Sequence, residues 1–147
     1  MAKGKKQGDN EVANKIIAIV FLIFLIAGGY YLFSMFRPVE INVTNIVGEW
    51  KQSGSPLTFY TFRTDGTASS YEKFTGSGDV RNQMEYTYTL TSEISEQTGK
   101  EVYTLVLNET RGDKRRLEIK INSLSHVQMN ILEKGSEFST LTRVDVF

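Results

Sequence analysis

LTFYTFRTDGT, residues 57–67, is the stretch from which the architecture of this chain can be read. Tyr60 and Phe62 stand two apart, so in an extended chain they project to one face, and Asp65-Gly66 then supplies a hairpin turn. Thr67–Phe74 is the return strand. Upstream, Ile46–Lys51 forms a first strand that reaches Leu57 through Ser53-Gly54-Ser55-Pro56. Downstream, Gly76-Ser77-Gly78-Asp79 turns the chain again. Met84, Tyr86, Tyr88 and Leu90 then alternate with Glu85, Thr87 and Thr89, the pattern of a strand with one wet face. The same period of two continues through Glu101–Leu107 (inner set Tyr103, Leu105, Leu107), Arg115–Ile121 (Leu117, Ile119, Ile121), His126–Leu132 (Val127, Met129, Ile131) and Phe138–Val144. Eight strands joined mostly by short connections pair with their neighbours in antiparallel order. The expected fold is all-β, a small eight-stranded antiparallel up-and-down barrel over residues 46–147, with an open sandwich of the same strands as the alternative.

Before this domain the chain has a different chemistry. Ile16 to Phe36 is twenty-one residues without a charge, enough as a helix to cross a hydrocarbon core of about 30 Å. A cleavable signal peptide would have a shorter apolar region of about 7–15 residues and a small-x-small site. Ala27-Gly28-Gly29 is the candidate, but more apolar and aromatic residues follow it. The reading is therefore a transmembrane α-helix at 16–36, preceded by a basic tail at 1–15 and followed by a short stalk at 37–45. Lys3, Lys5, Lys6 and Lys15 against Asp9 and Glu11 leave the tail at net +2, while residues 37–147 carry 13 basic and 15 acidic side chains. By the positive-inside rule this predicts a single-pass protein with its N-terminus in the cytoplasm and its β domain outside. Tyr30, Tyr31 and Phe33 suit the outer headgroup boundary, and Arg37-Pro38 ends the helix.

Gly48-Glu49-Trp50 resembles the G-x-W signature of lipocalins and wider calycins, and Tyr60–Thr67 is similar to the aromatic-x-aromatic-x-x-D-G-T run of small bacterial lipocalin-like domains. Leu141-Thr142-Arg143 matches the Leu-x-Arg that often closes them. The resemblance covers roughly residues 44–147. It implies a lipocalin-like barrel in which Arg143 packs over Trp50, a cation–π contact worth about 1 kcal/mol when shielded. It also implies that Gly48, Trp50, Asp65, Gly66 and Arg143 are structural, and it names no ligand.

The absence of cysteine excludes disulfides, thiolate metal sites, cysteine nucleophiles and a lipidated cysteine, and suits a bacterial envelope domain held together by its core. No HExxH, P-loop or EF-hand pattern occurs. The single histidine, His126, stands near Ser123 and Ser125, but without a G-x-S-x-G turn it reads as a surface or rim residue. Glu85, Glu93, Glu96, Glu101 and Glu118 fall on wet faces or turns. We therefore read no catalytic residue, no metal ligand and no cofactor, and nothing marks a nucleic acid as partner.

Two groups remain. Arg111, Lys114, Arg115 and Arg116 put four basic residues into six positions, a turn able to meet anionic lipid, teichoic acid or an acidic partner. The plainer reading is a solvated hairpin turn with Gly112 where the turn needs it. Tyr60, Phe62, Tyr86, Tyr88 and Tyr103 would line a cavity for a small hydrophobic ligand if the barrel were hollow, whereas packing is their ordinary role in a β core. The sequence points first to a non-enzymatic, membrane-held module that docks onto a membrane or cell-envelope protein as an accessory subunit. The alternative is a lipocalin-like carrier or sensor of a small hydrophobic molecule. Asn42-Val43-Thr44 and Asn108-Glu109-Thr110 fit the glycosylation sequon and are read as chance.

Overall fold

The structure, a computed structural model, describes residues 6–54, 56–133 and 138–144. The chain divides into two compact units at the Phe36/Arg37 boundary. The first is one helix, α1 (Lys6–Met35). Its segment Ala13–Met35 is long and apolar enough to cross a membrane and fits an anchor or a signal sequence. The second contains a short helix, α2 (Val43–Ile46), and eight strands: β1 (Gly48–Gln52), β2 (Leu57–Phe62), β3 (Thr67–Lys73), β4 (Val80–Ile94), β5 (Glu101–Glu109), β6 (Arg116–Leu124), β7 (Gln128–Glu133) and β8 (Phe138–Arg143).

Each strand pairs antiparallel with the next, and β8 returns to β1, closing the barrel. Alternation along each strand decides what the interior receives. In the row Trp50, Tyr60, Ser70, Met84, every residue sits opposite its neighbour and turns inward. The intervening residues turn outward, where Phe59 stacks on Tyr71 at 4.8 Å and the Tyr71 hydroxyl donates to Glu49 Oε1 at 3.0 Å. Trp50, Phe62, Tyr86, Tyr88, Leu105, Leu107, Ile119, Ile121, Met129, Ile131 and Leu141 are buried together as one core.

Three features depart from the expected strand plan. The segment 37–45, read as a stalk ahead of the barrel, lies against it from Pro38 on, and Ile46, read as the start of the first strand, belongs to α2. Val39 N–H donates to Leu124 O at 2.9 Å, Pro38 bridges Ser125, Val39 and Ile41 pack on the core, and Ile46 is fully buried. Strand β4 is fifteen residues long, well beyond the alternating stretch at 84–90, because its ends pair with β3 and β5 outside the apolar core. Leu117 has the inward parity of Ile119 and Ile121 yet is 40 % exposed; among the described residues β7 pairs with β6 as far as Ile119.

Candidate functional site

The barrel has two dissimilar ends. At one, Asn42 caps α2 by accepting from Asn45 N–H at 2.9 Å, and the single helical turn carries Ile46 into the core. The indole N–H of Trp50 donates to Ile46 O at 2.7 Å. The Arg143 guanidinium lies 4.5 Å from the Trp50 ring and donates through Nη2 to Asn45 O at 2.6 Å. Opposite parities of β1 and β8 would have made this impossible; Trp50 and Arg143 are direct partners in the ladder. Beside them the β2–β3 turn is fixed by Asp65, whose Oδ1 accepts from Thr67 N at 2.9 Å and Thr67 Oγ1 at 2.6 Å. Those hydrogen bonds hold the Asp65 carboxyl below its ordinary range. Gly66, at φ +80°, occupies the left-handed position the turn requires.

At the other end, near the turns at 74–79 and 110–115, the inward rows become polar. Glu72 follows Ser70 and Glu133 follows Ile131 at the same parity. Burial pushes the half-buried Tyr60 phenol well above its usual value, and Glu133, Tyr86 and Glu72 add to the effect. Tyr60 therefore offers a neutral hydroxyl across the physiological range. Glu72 Oε2 accepts from Asn82 Nδ2 at 2.7 Å, where a bulge in β4 puts Asn82 at φ +52°. The sequence reading missed Glu72 and Glu133. Period two alone would have turned both inward, but a carboxylate at a core parity reads as the end of a strand.

The five aromatics considered as a cavity lining separate into two groups. Phe62, Tyr86 and Tyr88 are buried in the core. Phe62 meets Tyr88 edge-on at 5.3 Å, Tyr88 donates to Arg63 O at 2.7 Å, and the Tyr86 hydroxyl lies 3.0 Å from Met84 Sδ and 3.3 Å from Ser70 Oγ. Tyr60 and Tyr103 are only partly buried, and Tyr103 donates to Glu101 Oε2 at 2.7 Å. One recess of ≈ 340 Å³ is lined by Arg116, Leu117, Glu118, Ile119 and Glu133, and another of ≈ 410 Å³ includes Tyr103, Ile121, Leu132 and Phe138; both open to solvent.

The basic turn between β5 and β6 is fully exposed. Gly112 at φ +79° and Lys114 at φ +52° shape it. Arg115 pairs with Asp113 at 2.9 Å and Arg116 with Glu118 at 3.0 Å, so part of the charge is answered within the turn. Exposed pairs of this kind contribute about 0–1 kcal/mol each and remain available to a competing anion. Arg111 and Lys114 add cationic charge at the tip. His126 is exposed in the β6–β7 connection, and the neighbouring serines are engaged elsewhere: Ser125 Oγ accepts from the backbone N–H of Gln128 at 3.0 Å, and Ser123 Oγ accepts from the side-chain Nδ2 of Asn130 at 2.8 Å.

A closed eight-stranded antiparallel barrel behind one apolar helix fits the resemblance to a lipocalin-like domain on an anchor. No protein-family model, no curated protein and no solved structure matches the chain.

Proposed function

We propose that the chain is a non-enzymatic binding module of lipocalin-like build, held in a membrane by α1 with its N-terminus cytoplasmic, whose extracytoplasmic barrel docks onto a membrane or cell-envelope partner as an accessory subunit. The observation that carries this reading is the packing of the buried aromatics. Phe62, Tyr86 and Tyr88, which a carrier would turn toward its ligand, are committed to one another and to the core. Recognition then falls to the outer surface, and the exposed turn at 111–116 is its most concentrated charge. A partner with an acidic face would exchange the internal pairs of Arg115 and Arg116 for its own carboxylates or phosphates at little cost.

The test is capture of the full-length protein from gently solubilised membranes, with protein partners and small molecules both identified by mass spectrometry. A stoichiometric protein partner, lost when Arg111, Lys114, Arg115 and Arg116 are all changed to Ala, supports the docking reading. A bound lipid or metabolite with no protein partner would replace it with the carrier reading.

A further inference from the structure

A closed barrel has no free sheet edges, yet this one has a strand that outruns its neighbour. Strand β3 pairs with β4 between Val80 and Thr87 only, whereas β5 accompanies β4 as far as Ile94. Tyr88 N–H donates to Gly66 O on the β3 side at 2.8 Å. Backbone groups alternate along a strand, so the N–H and C=O of Leu90, Ser92 and Ile94 also point to that side. Among the described residues no strand receives them.

Several of the usual protections of an edge are missing there, although the stretch is short and carries Glu93. Residues 89–94 read TLTSEI, with no proline, no lysine and no inward-pointing charge, and Thr89, Thr91, Ser92, Glu93 and Ile94 are all exposed. Ile94 is 74 % exposed at the inward parity it shares with the half-buried Leu90.

We infer that this edge pairs with the same edge of a second copy of the chain, antiparallel and centred on Ser92. A two-fold axis at Ser92 sets Leu90 opposite Ile94 of the partner and Thr91 opposite the partner's Glu93. Each apolar residue meets an apolar residue, Glu93 meets a threonine, and no like charges stand face to face. Because Leu90, Ser92 and Ile94 all present their backbone groups outward, this register forms about six main-chain hydrogen bonds. Centring one residue earlier would set Leu90 against serine and leave Ile94 unmatched. The inference concerns contact between copies and stands apart from the docking reading, which concerns the turn at 111–116.

The chain has no cysteine, so a single one reports cleanly. Directly opposed antiparallel residues have Cα atoms about 5.5 Å apart, within disulfide range. Full-length Ser92→Cys, oxidised mildly in its own membranes and in detergent micelles, should form a thiol-reversible dimer, while Lys120→Cys on the exposed face of β6 stays monomeric. Adding Ile94→Lys to Ser92→Cys should reduce the dimer by about tenfold, because a charge then sits at the apolar pair. Thr91→Cys mixed with Glu93→Cys should cross-link better than either alone, which fixes the register. Dimer no more abundant at Ser92→Cys than at Lys120→Cys, or unaffected by Ile94→Lys, would overturn the inference. A cross-link from Ser92→Cys to a protein of different mass would also overturn it, by showing that another chain takes the edge.

Discussion

The end of the barrel covered by α2 and the end that carries the basic turn are made from the same eight strands but solve opposite problems. At the first, polar groups enter the core and most are met: the Trp50 indole by Ile46 O, and the Arg143 guanidinium by Asn45 O through Nη2 and by the Trp50 ring, while its buried Nε has no hydrogen-bond partner among the described residues. At the second, charge accumulates on the rim and stays in water, with pairs such as Arg115–Asp113 fully exposed. A buried polar contact costs stability when cut, because one partner is left without water; an exposed one does not. Stability should therefore be concentrated at the first end and freedom to change at the second.

The hardest blow to that division is Trp50→Ala. Removing a fully buried indole should cost about 3–5 kcal/mol through lost packing, a cavity and the orphaned Ile46 carbonyl. Thermal unfolding of the full-length protein in detergent, followed by circular dichroism, measures it; a loss below about 1 kcal/mol would mean that the covered end is not where the fold is secured. Next comes Arg143→Ala, expected to cost about 2 kcal/mol because a charge-assisted hydrogen bond and a cation–π contact vanish together. Arg143→Lys should recover only part of this, since an ammonium lacks the planar face that lies over Trp50. Trp50, the one tryptophan, provides the fluorescence signal for the two Arg143 variants.

Gly66→Ala sharpens the comparison on a smaller scale. The residue has φ +80° and a new Cβ would meet Tyr88 O at 3.9 Å, an ordinary contact, so the expected loss of about 1 kcal/mol is backbone strain and not a clash. The same turn adds a pH dependence. The folded-state pKa of Asp65 is depressed from 3.8, so its contribution is present above the unfolded value and disappears as pH falls through the folded one. Asp65→Asn should remove that part of the acid-side slope while leaving the profile above pH ~5 parallel to the wild type.

How far this division was legible in the sequence differs from residue to residue. Alternation identified the eight strands, because a half-buried strand must repeat every two residues. Trp50 and Arg143 were linked through family resemblance, not through periodicity. The cover over the barrel was not legible: Val39, Ile41 and Val43 alternate with Glu40 and Asn42, but the run is short and breaks at Thr44-Asn45, so nothing in it shows that Ile46 joins Val39 and Ile41 on the core. Glu72 and Glu133 were concealed for the reverse reason, since their parity is inward but their chemistry signals an end to burial. The free edge of β4 was hidden as well. A pattern within one strand says which face is wet and nothing of how far the neighbouring strand extends.

The smallest stability effect belongs to the basic turn, and it is the one that separates the two ends most sharply. Changing Arg111, Lys114, Arg115 and Arg116 together to Ala removes four charges and two exposed ion pairs, yet the unfolding free energy should move by no more than about 0.5 kcal/mol. Those side chains bury no apolar surface that the core needs, and Gly112 and Lys114 hold the turn through the backbone. If such a variant unfolded as readily as Trp50→Ala, the turn would be part of the structural framework, and its loss could not be read as loss of a contact. If it stays folded while a membrane partner dissociates, the stability of one end and the binding of the other are separable properties of a single small barrel.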